Sequence, residues 1–376
     1  MSLVLNGTTG ISGTNALTGV TSVNSGQVSG RRNIVINGEM KVAQRSTSVT
    51  GLGAAAGYFT LDRFSIATAA SAGRFTMAQI ADGPAGIANC LKITTTTADT
   101  SIAAGEYLIL GQPIEGQDLQ QLKKGTASAE QVTVSFYVKG NAAALYVCEL
   151  FDTDNSRSIT QSFAVTTDWN RIELTFAADT SDPLDDDTAA SLVVNFWLHG
   201  GATYTGGTFA VNTWNDQTAA NRYAVADRTS IYDSTDRTFF ITGVQMEIGS
   251  TATDFEHRGI GEELALCERY FTKSFPYGTA PAQNAGITGA ITAEGQAASS
   301  PAYAYVTFKN TMRATPTIVT FNPNDTNANW RNTTSGGALT VAVQFTGDAG
   351  TFIGSNTEVL AQYQLCAIHY TASAEL

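Results

Sequence analysis

The stretch QVTVSFYVKG, residues 131–140, decides the fold class, because apolar and polar side chains alternate along it. The residues that fall on one side of an extended chain are all apolar: Val132, Val134, Phe136 and Val138. An alternation with a period of two is typical of a β-strand that turns one face toward a hydrophobic core. The stretch therefore predicts a strand of this kind.

Similar stretches lie on both sides of this strand and are separated by turns rich in Gly, Asp and Asn. They are rich in β-branched and aromatic residues and cover residues 58–67, 74–80, 90–96, 106–114, 145–152, 169–177, 191–200 and 237–249. Only 14% of the 376 residues are charged, which is low for a chain of long helices. Many short strands with little helical periodicity predict an all-β fold, a two-sheet jelly-roll β-sandwich.

One helix is predicted over residues 259–275, GIGEELALCERYFTKSF. Acidic residues lie near its start and basic residues near its end, which is the arrangement that the helix dipole favours. Its apolar stripe consists of Leu264, Cys267, Tyr270 and Phe271. A helix with such a stripe packs either on its own domain or on its copies around a symmetry axis.

Further strand-like stretches follow this helix, so we expect it to connect two β regions. The predicted organisation is an extended leader, a jelly-roll β-sandwich domain, the connecting helix and a smaller C-terminal β-sandwich domain, over residues 1–30, 31–258, 259–275 and 276–376. The leader contains no Lys, Arg, Asp or Glu. It is either a flexible tail or an attachment segment that becomes ordered against a partner.

Charge and cysteine content exclude several classes of function. The net charge is −12 and no basic stripe is present, which argues against nucleic acid and an anionic membrane surface as partners. The four cysteines are widely separated, so they predict free thiols rather than disulfides or a zinc site. No stretch has the order of a signal peptide or the length of a membrane span. These features fit synthesis in a reducing cytoplasm.

Two loop-like stretches, residues 200–223 and 322–332, combine aromatic side chains with amides and charged groups. Aromatic rings can stack on the C–H faces of sugars, while neighbouring polar side chains hydrogen-bond the hydroxyls. The candidate glycan-binding residues are Tyr204, Trp214, Asn215, Asp216 and Tyr223 in the first loop, and Trp330 and Arg331 in the second. The alternative is that these residues only pack their loops.

An acidic loop, residues 181–190, is the candidate metal site. Its carboxylates are Asp182, Asp185, Asp186 and Asp187, and oxygen ligands of this kind suit Ca²⁺. The spacing does not match an EF-hand, so the alternative is a solvated acidic loop. No catalytic or phosphate-binding motif is present, and we therefore predict no enzyme activity and no further cofactor.

Several motifs resemble segments of phage virion structural and tail-fibre proteins and keep their order along the chain. They are RNIVINGEMKVAQRST (32–47), YFTLDRF (58–64), QPIEGQDLQQLKKGTASAEQVTVSFYVKG (112–140), FFITGVQMEIGSTATDFEHRGIGEELALCERYF (239–271), MRATPTIVTFNP (312–323), NANWRN (327–332) and HYTASAEL (369–376). The resemblance covers nearly everything from residue 31 onward. It implies a sandwich similar to carbohydrate-binding modules, a C-terminal β tip module and a homotrimer, and it supplies no mapped ligand site.

The leading hypothesis is therefore a non-enzymatic phage fibre or tail-fibre subunit of the virion, synthesised in the host cytoplasm. Residues 1–30 would bind other virion proteins, and the β domains would bind host cell-surface glycan. One alternative is a purely architectural virion protein, such as a head fibre, a decoration protein or a tail adaptor, which burial of Trp214 and Trp330 would favour. Another is a polysaccharide depolymerase, which would need a pair of carboxylates in a cleft.

Overall fold

The computed structural model describes residues 22–23, 26–27, 31–297 and 299–376. Near the start of the chain, β1 (Ser22–Val23) pairs antiparallel with β2 (Gly26–Gln27). The rest of the predicted leader lies outside the described residues. In the part of the chain that is described, no helix is long and apolar enough to span a bilayer.

Residues 31–258 form two six-stranded antiparallel sheets, so the predicted all-β sandwich is confirmed. Its strands are β3 (Ser48–Leu52), β4 (Ser65–Ala69), β5 (Arg74–Ile80), β6 (Cys90–Thr97), β7 (Tyr107–Glu115), β8 (Val132–Gly140), β9 (Ala144–Asp152), β10 (Arg157–Val165), β11 (Asn170–Phe176), β12 (Ala190–Gly200), β13 (Asn215–Asp216) and β14 (Thr238–Ile248). Sheet I has the order β13-β10-β9-β12-β7-β4, and sheet II has the order β11-β8-β14-β6-β5-β3. The connections between these strands contain four short helical turns: Gly116–Asp118, Gln120–Leu122, α1 (Ala202–Thr205) and Ala219–Asn221.

The alternation along β8 builds the centre of this sandwich. The apolar residues of β8 are at most 6% exposed: Val132, Val134, Phe136 and Val138. Phe136 of sheet II meets Phe163 and Phe196 of sheet I edge to face, with ring centroids 5.0 Å apart in both pairs. Thr133 on the other face is also buried, and its hydroxyl donates to the carbonyl of Gly249, the residue after β14, at 2.8 Å.

The helix is shorter than the sequence predicts. It runs over α2 (Ile260–Glu268), and the chain then continues as β15 (Phe271–Lys273), which pairs with the last strand of the chain. The prediction of a helix as far as residue 275 is wrong, because the backbone of 271–273 forms ladder hydrogen bonds instead. Cys267 and Tyr270 pack on Ile36 and Val42, so the apolar stripe is covered by the sandwich of its own chain.

The C-terminal region is organised around its last strand, β23 (Leu365–Ser373). The preceding strands are β16 (Ile291–Glu294), β17 (Ser300–Thr307), β18 (Thr317–Phe321), β19 (Trp330–Asn332), β20 (Ala338–Leu339), β21 (Val341–Gln344) and β22 (Gly350–Leu360). β23 pairs with β15, β16, β18 and β19, while β17, β22 and β21 form a separate three-stranded sheet. Trp330, Ile353 and Ile368 lie between the two sheets in one hydrophobic core.

A polar junction joins the two β regions. Glu115 at the end of β7 accepts two hydrogen bonds from Arg269, at 2.8 and 2.6 Å, and one from the Tyr270 hydroxyl. Arg63 donates to Glu375 at 2.5 Å and lies 3.5 Å from the centre of the Tyr270 ring. Because such contacts join residues 31–258 to residues 259–376, the exact domain boundaries stay a prediction.

Candidate functional site

A groove of about 390 Å³ lies on the outer face of sheet I, over strands β4, β7, β9 and β12. Paired residues of antiparallel strands point to the same side, so the register sets three rows across this face. The rows are Phe151, Val193 and Pro113; then Glu149, Asn195, Gly111 and Ser65; then Val147, Trp197, Ile109 and Ala67. An aromatic, an amide and a carboxylate are therefore placed on one face by strand pairing alone.

The segment after β12 forms one wall of the groove. It contributes Tyr204 and Arg222, which line the groove together with Tyr107 of β7. The chain turns sharply at Gly201, whose N–H donates to the Glu106 carbonyl at 2.8 Å. A Cβ atom at Gly201 would lie 2.0 Å from the carbonyl oxygen of Ala103, so only glycine fits this turn.

A buried carboxylate lies under the groove. Glu149 is fully buried and accepts hydrogen bonds from Arg222 at 2.7 and 2.6 Å. It also accepts from the Trp197 indole at 2.9 Å and from the Asn195 amide at 3.0 Å. The paired carboxylate and guanidinium compensate each other's charge and fix the orientation of both neighbouring side chains.

Aromatic rings pack around this pair. The Arg222 guanidinium lies 4.7 Å from the centre of the Phe151 ring and 4.8 Å from that of Trp197. Tyr204 lies 5.3 Å from Trp197 and 5.2 Å from Tyr107, measured between ring centroids. Trp197 is fully buried, whereas Tyr204 and Tyr107 are half-buried and keep part of their rings open to a ligand. Burial raises the pKa of Tyr204, so its hydroxyl stays protonated at neutral pH.

Of the seven candidate glycan-binding residues, the structure places only Tyr204 among the groove-lining side chains. Tyr223 lies behind Trp197, with ring centroids 5.9 Å apart, and is 1% exposed. Its hydroxyl donates to the Thr229 carbonyl at 2.5 Å. The expectation of an exposed ring at Tyr223 is therefore wrong, because this ring fills space beneath the wall segment.

Trp214, Asn215 and Asp216 lie at the edge of sheet I rather than in the groove. Trp214 is half-buried against the sandwich core, and its indole donates to the Ala177 carbonyl at 2.8 Å. Asn215 and Asp216 form β13, the exposed outer strand that pairs with β10. These three residues make a separate surface from the one that contains Tyr204.

Trp330 is fully buried in the C-terminal core, where its indole donates to the Gly354 carbonyl at 3.1 Å. A buried ring offers no face to a sugar, so the expectation of a surface platform at Trp330 is wrong. Arg331 follows it on β19 and is half-buried. The polar, Asn-rich stretch 322–332 predicts an exposed loop, but it contains a strand of three residues that buries Trp330.

The acidic loop does not gather its carboxylates. Asp182, Asp185, Asp186 and Asp187 are exposed. Among the residues that the structure describes, no three His, Cys, Asp or Glu side chains are arranged to hold a metal ion. The calcium interpretation thus has no geometric support, since Asp182 lies 3.9 Å from Arg157 and Asp187 accepts the N–H of Ala189 instead.

A chain of hydrogen bonds at the end of sheet I involves a histidine. His199 is fully buried, and its Nδ1 lies 2.8 Å from the Ser230 hydroxyl. Its Nε2 lies 3.2 Å from a carboxylate oxygen of Glu106. Burial lowers the pKa of His199, despite the opposing effect of Glu106. Ser230 also accepts the N–H of Tyr232 at 3.0 Å. These hydrogen bonds therefore fix the segment 230–232 to the end of sheet I.

Four residues at the centre of the groove are not among the sequence-predicted site residues: Tyr107, Glu149, Trp197 and Arg222. A signal was present for Glu149, because a carboxylate interrupts the apolar strand LYVCELFD, residues 145–152. A charge within such a strand needs a buried partner. The partner, Arg222, could not be identified without the fold.

No family model matches this chain, and no curated protein matches it. Among solved structures it is similar to one described as "CBM4 structure and function", at 13% identity over 56% of this chain and 97% of that chain, with a TM-score of 0.28. It is also similar to the family 11 carbohydrate-binding module of a cellulosomal cellulase of Clostridium thermocellum, at 13% identity over 54% and 99% of the two chains, with a TM-score of 0.27.

A third similar structure is the enzymatically active domain of tailspike protein 4 of bacteriophage CBA120, at 11% identity and a TM-score of 0.30. The match covers 57% of this chain and 21% of the tailspike chain. All three TM-scores lie below 0.5.

Proposed function

We propose that this chain is a glycan-binding attachment subunit of a phage virion and that the groove on sheet I holds the glycan. The observation that carries the proposal is the arrangement of half-buried Tyr204 and Tyr107 beside Asn195 and Arg222. Tyrosine rings offer surfaces on which a sugar ring can stack, and the amide and hydroxyl groups supply hydrogen bonds. A concave, mainly apolar site with a few fixed polar groups is what small ligands need.

The charges around the groove favour a neutral sugar. The positive charge of Arg222 is compensated by Glu149, and none of the groove-lining residues is Asp or Glu. The whole chain carries a net charge of −12, which disfavours an acidic glycan. Cleavage of a glycosidic bond uses two carboxylates, so the role we propose for this groove is binding rather than hydrolysis.

The virion part of the proposal rests on the sequence motifs from residue 31 onward. In this proposal residues 1–30 bind other virion proteins, the chain forms a homotrimer, and the particle carries it to the host surface. Three copies would bind host glycan together, so modest single-site affinity becomes high avidity. Synthesis in the host cytoplasm fits the four free, buried cysteines.

A purely architectural virion protein is the second candidate. Of the two tryptophans whose burial would favour it, Trp330 is fully buried, whereas Trp214 is only half-buried. The full burial of Tyr223 adds to this support, because its ring also serves packing. In this alternative the groove on sheet I binds nothing, and the β domains only build or decorate the particle.

Titration of the full-length protein with neutral hexasaccharides separates the two candidates. Trp197 contacts Tyr204, so ligand entry should change tryptophan fluorescence. We expect Tyr204→Ala to weaken binding about tenfold, which is the loss of roughly 1.4 kcal/mol. The matched control is Tyr363→Ala, since Tyr363 is 75% exposed in the C-terminal region. No binding by the wild type would favour the architectural candidate, whereas equal affinity in wild type and Tyr204→Ala would mean that the glycan binds outside the groove.

A further inference from the structure

The outer face of the three-stranded sheet β17-β22-β21 carries four aromatic side chains. Tyr305 pairs with Phe352 and Tyr303 pairs with Gly354, whereas Ala304 and Ile353 point to the core. Tyr303 and Tyr305 are 52% and 67% exposed. Phe345, the residue that follows β21, is 83% exposed and meets Phe352 edge to face, with ring centroids 6.1 Å apart and an angle of 67° between the ring planes. We call Tyr303, Tyr305, Phe345 and Phe352 the open face.

Glycines under the open face let its rings lie along the sheet. A Cβ atom at Gly350 would lie 2.9 Å from the Tyr305 hydroxyl oxygen and 3.2 Å from its Cζ. A Cβ atom at Gly354 would lie 3.1 Å from a ring carbon of Phe352. The Tyr305 and Phe352 rings thus each rest over a position without a side chain.

The rings also form one surface. The planes of Tyr303 and Phe352 differ by only 21°, with centroids 5.8 Å apart. The neighbouring outward positions on these strands, Thr307 and Gln344, are polar and uncharged. A pair of near-parallel rings with a third ring set edge-on beside it, bordered by hydrogen-bonding groups, is chemically matched to the C–H face and hydroxyls of a pyranose ring.

From this arrangement we propose that the open face is a second carbohydrate site, which takes a neutral pyranose glycan by stacking. It is separate from the groove, because it lies on the C-terminal sheet and shares no residue with the groove lining. The absence of charge among the four side chains fits an uncharged ligand, and the net charge of −12 disfavours a nucleic acid, which would also stack on aromatic rings.

The size of the open face fits a sugar better than a second copy of the chain. Given about 150–250 Å² per aromatic side chain, the exposed parts of Tyr303, Tyr305 and Phe345 amount to roughly 400 Å². A stable protein interface buries about 800 Å² on each partner, around twice this area. Two or three stacked sugar rings need no more surface than these side chains offer.

The test uses full-length protein and hexasaccharides of glucose, xylose, mannose and galactose, with binding measured by calorimetric titration. The variants are Tyr305→Ala and Phe345→Ala on the open face and Tyr204→Ala in the groove. Tyr363→Ala is the matched control, because it removes an equally exposed tyrosine elsewhere in the C-terminal region. Sedimentation velocity on each protein reports whether copies associate through the open face.

We expect the wild type to titrate with two sites for at least one hexasaccharide. Tyr305→Ala and Phe345→Ala should each weaken one site by about tenfold or more and leave the other unchanged, while Tyr363→Ala binds as wild type. Loss of binding in Tyr204→Ala alone would overturn the open-face site and leave the proposed function intact. No binding by the wild type, or an oligomer that Phe345→Ala dissociates, would also overturn it.

Discussion

Two sheet faces of this molecule carry aromatic rings, but one face buries its central ring and the other leaves its rings exposed. In the groove on sheet I, Trp197 is fully buried and hydrogen-bonded to Glu149, which is itself paired with Arg222. On the open face, Tyr305 is 67% exposed and Phe345 is 83% exposed, and both rings belong to an uncharged surface.

The difference separates stability from recognition. A ring that is held by a buried charge pair is already fixed in position before a ligand binds. The stability of the fold then depends on that charge pair, because neither charge can be buried alone. A ring that lies over glycine on an exposed sheet contributes little to the core. Substitutions in the groove should therefore change both folding and binding, whereas substitutions on the open face should change binding alone.

Removal of the groove's carboxylate should have the largest effect. Glu149→Ala leaves the Arg222 guanidinium, 12% exposed, without its partner and removes the acceptor of Trp197 and Asn195. We expect the free energy of unfolding to fall by about 3–5 kcal/mol, measured by urea denaturation with tryptophan fluorescence. The control is Glu173→Ala, whose side chain is 49% exposed in its pair with Arg171, with an expected change below about 1 kcal/mol. An equal loss of unfolding free energy in Glu149→Ala and Glu173→Ala would show that the buried pair in the groove contributes no more to stability than an exposed pair.

The sandwich was predictable because its signal is local. The alternation in residues 131–140 depends only on neighbouring residues, and the strand it predicts is β8. The end of the helix was not predictable in this way. Phe271 continues the apolar stripe of the predicted helix, but residues 271–273 become a strand because β23, about 100 residues later, supplies hydrogen-bond partners.

The candidate site was predictable only in part, for the same physical reason. Tyr204 lies in the groove on α1, a single helical turn within the polar stretch 200–223, and the sequence pattern identified it as a candidate. Trp330 lies in an equally polar stretch, yet the fold buries it under Gly354. The pairing of Glu149 with Arg222 spans 73 residues, and no local pattern reports such a contact.

The junction between the two β regions offers a smaller and pH-dependent test. Burial alone would raise the pKa of Glu115, but hydrogen bonds from Arg269 and Tyr270 outweigh it and lower that pKa below its usual value. The unfolded chain, with an ordinary pKa of about 4.3, then binds a proton before the folded chain does. The junction's contribution is therefore present above about pH 4.3 and is lost as the pH falls toward the lowered pKa.

Glu115→Gln should remove this dependence. At neutral pH we expect it to lower the free energy of unfolding by roughly 1.5–3 kcal/mol, since it weakens charged hydrogen bonds. Melting temperatures measured between pH 3 and pH 7 should fall less steeply in Glu115→Gln than in the wild type. Glu130→Gln, at an exposed pair with Lys123, should keep the wild-type slope. Parallel slopes for Glu115→Gln and wild type would show that the junction does not titrate in this range.

The smallest effect on folding should come from the open face. Phe345→Ser removes a ring that is 83% exposed, so little buried apolar area is lost, and the free energy of unfolding should stay within about 0.5 kcal/mol of the wild type. Urea denaturation of this variant beside Glu149→Ala measures the contrast directly. A loss above about 1 kcal/mol, or a changed sedimentation coefficient, would mean that the ring is covered in solution. An unchanged fold lets any loss of sugar binding in open-face variants be attributed to ligand contacts.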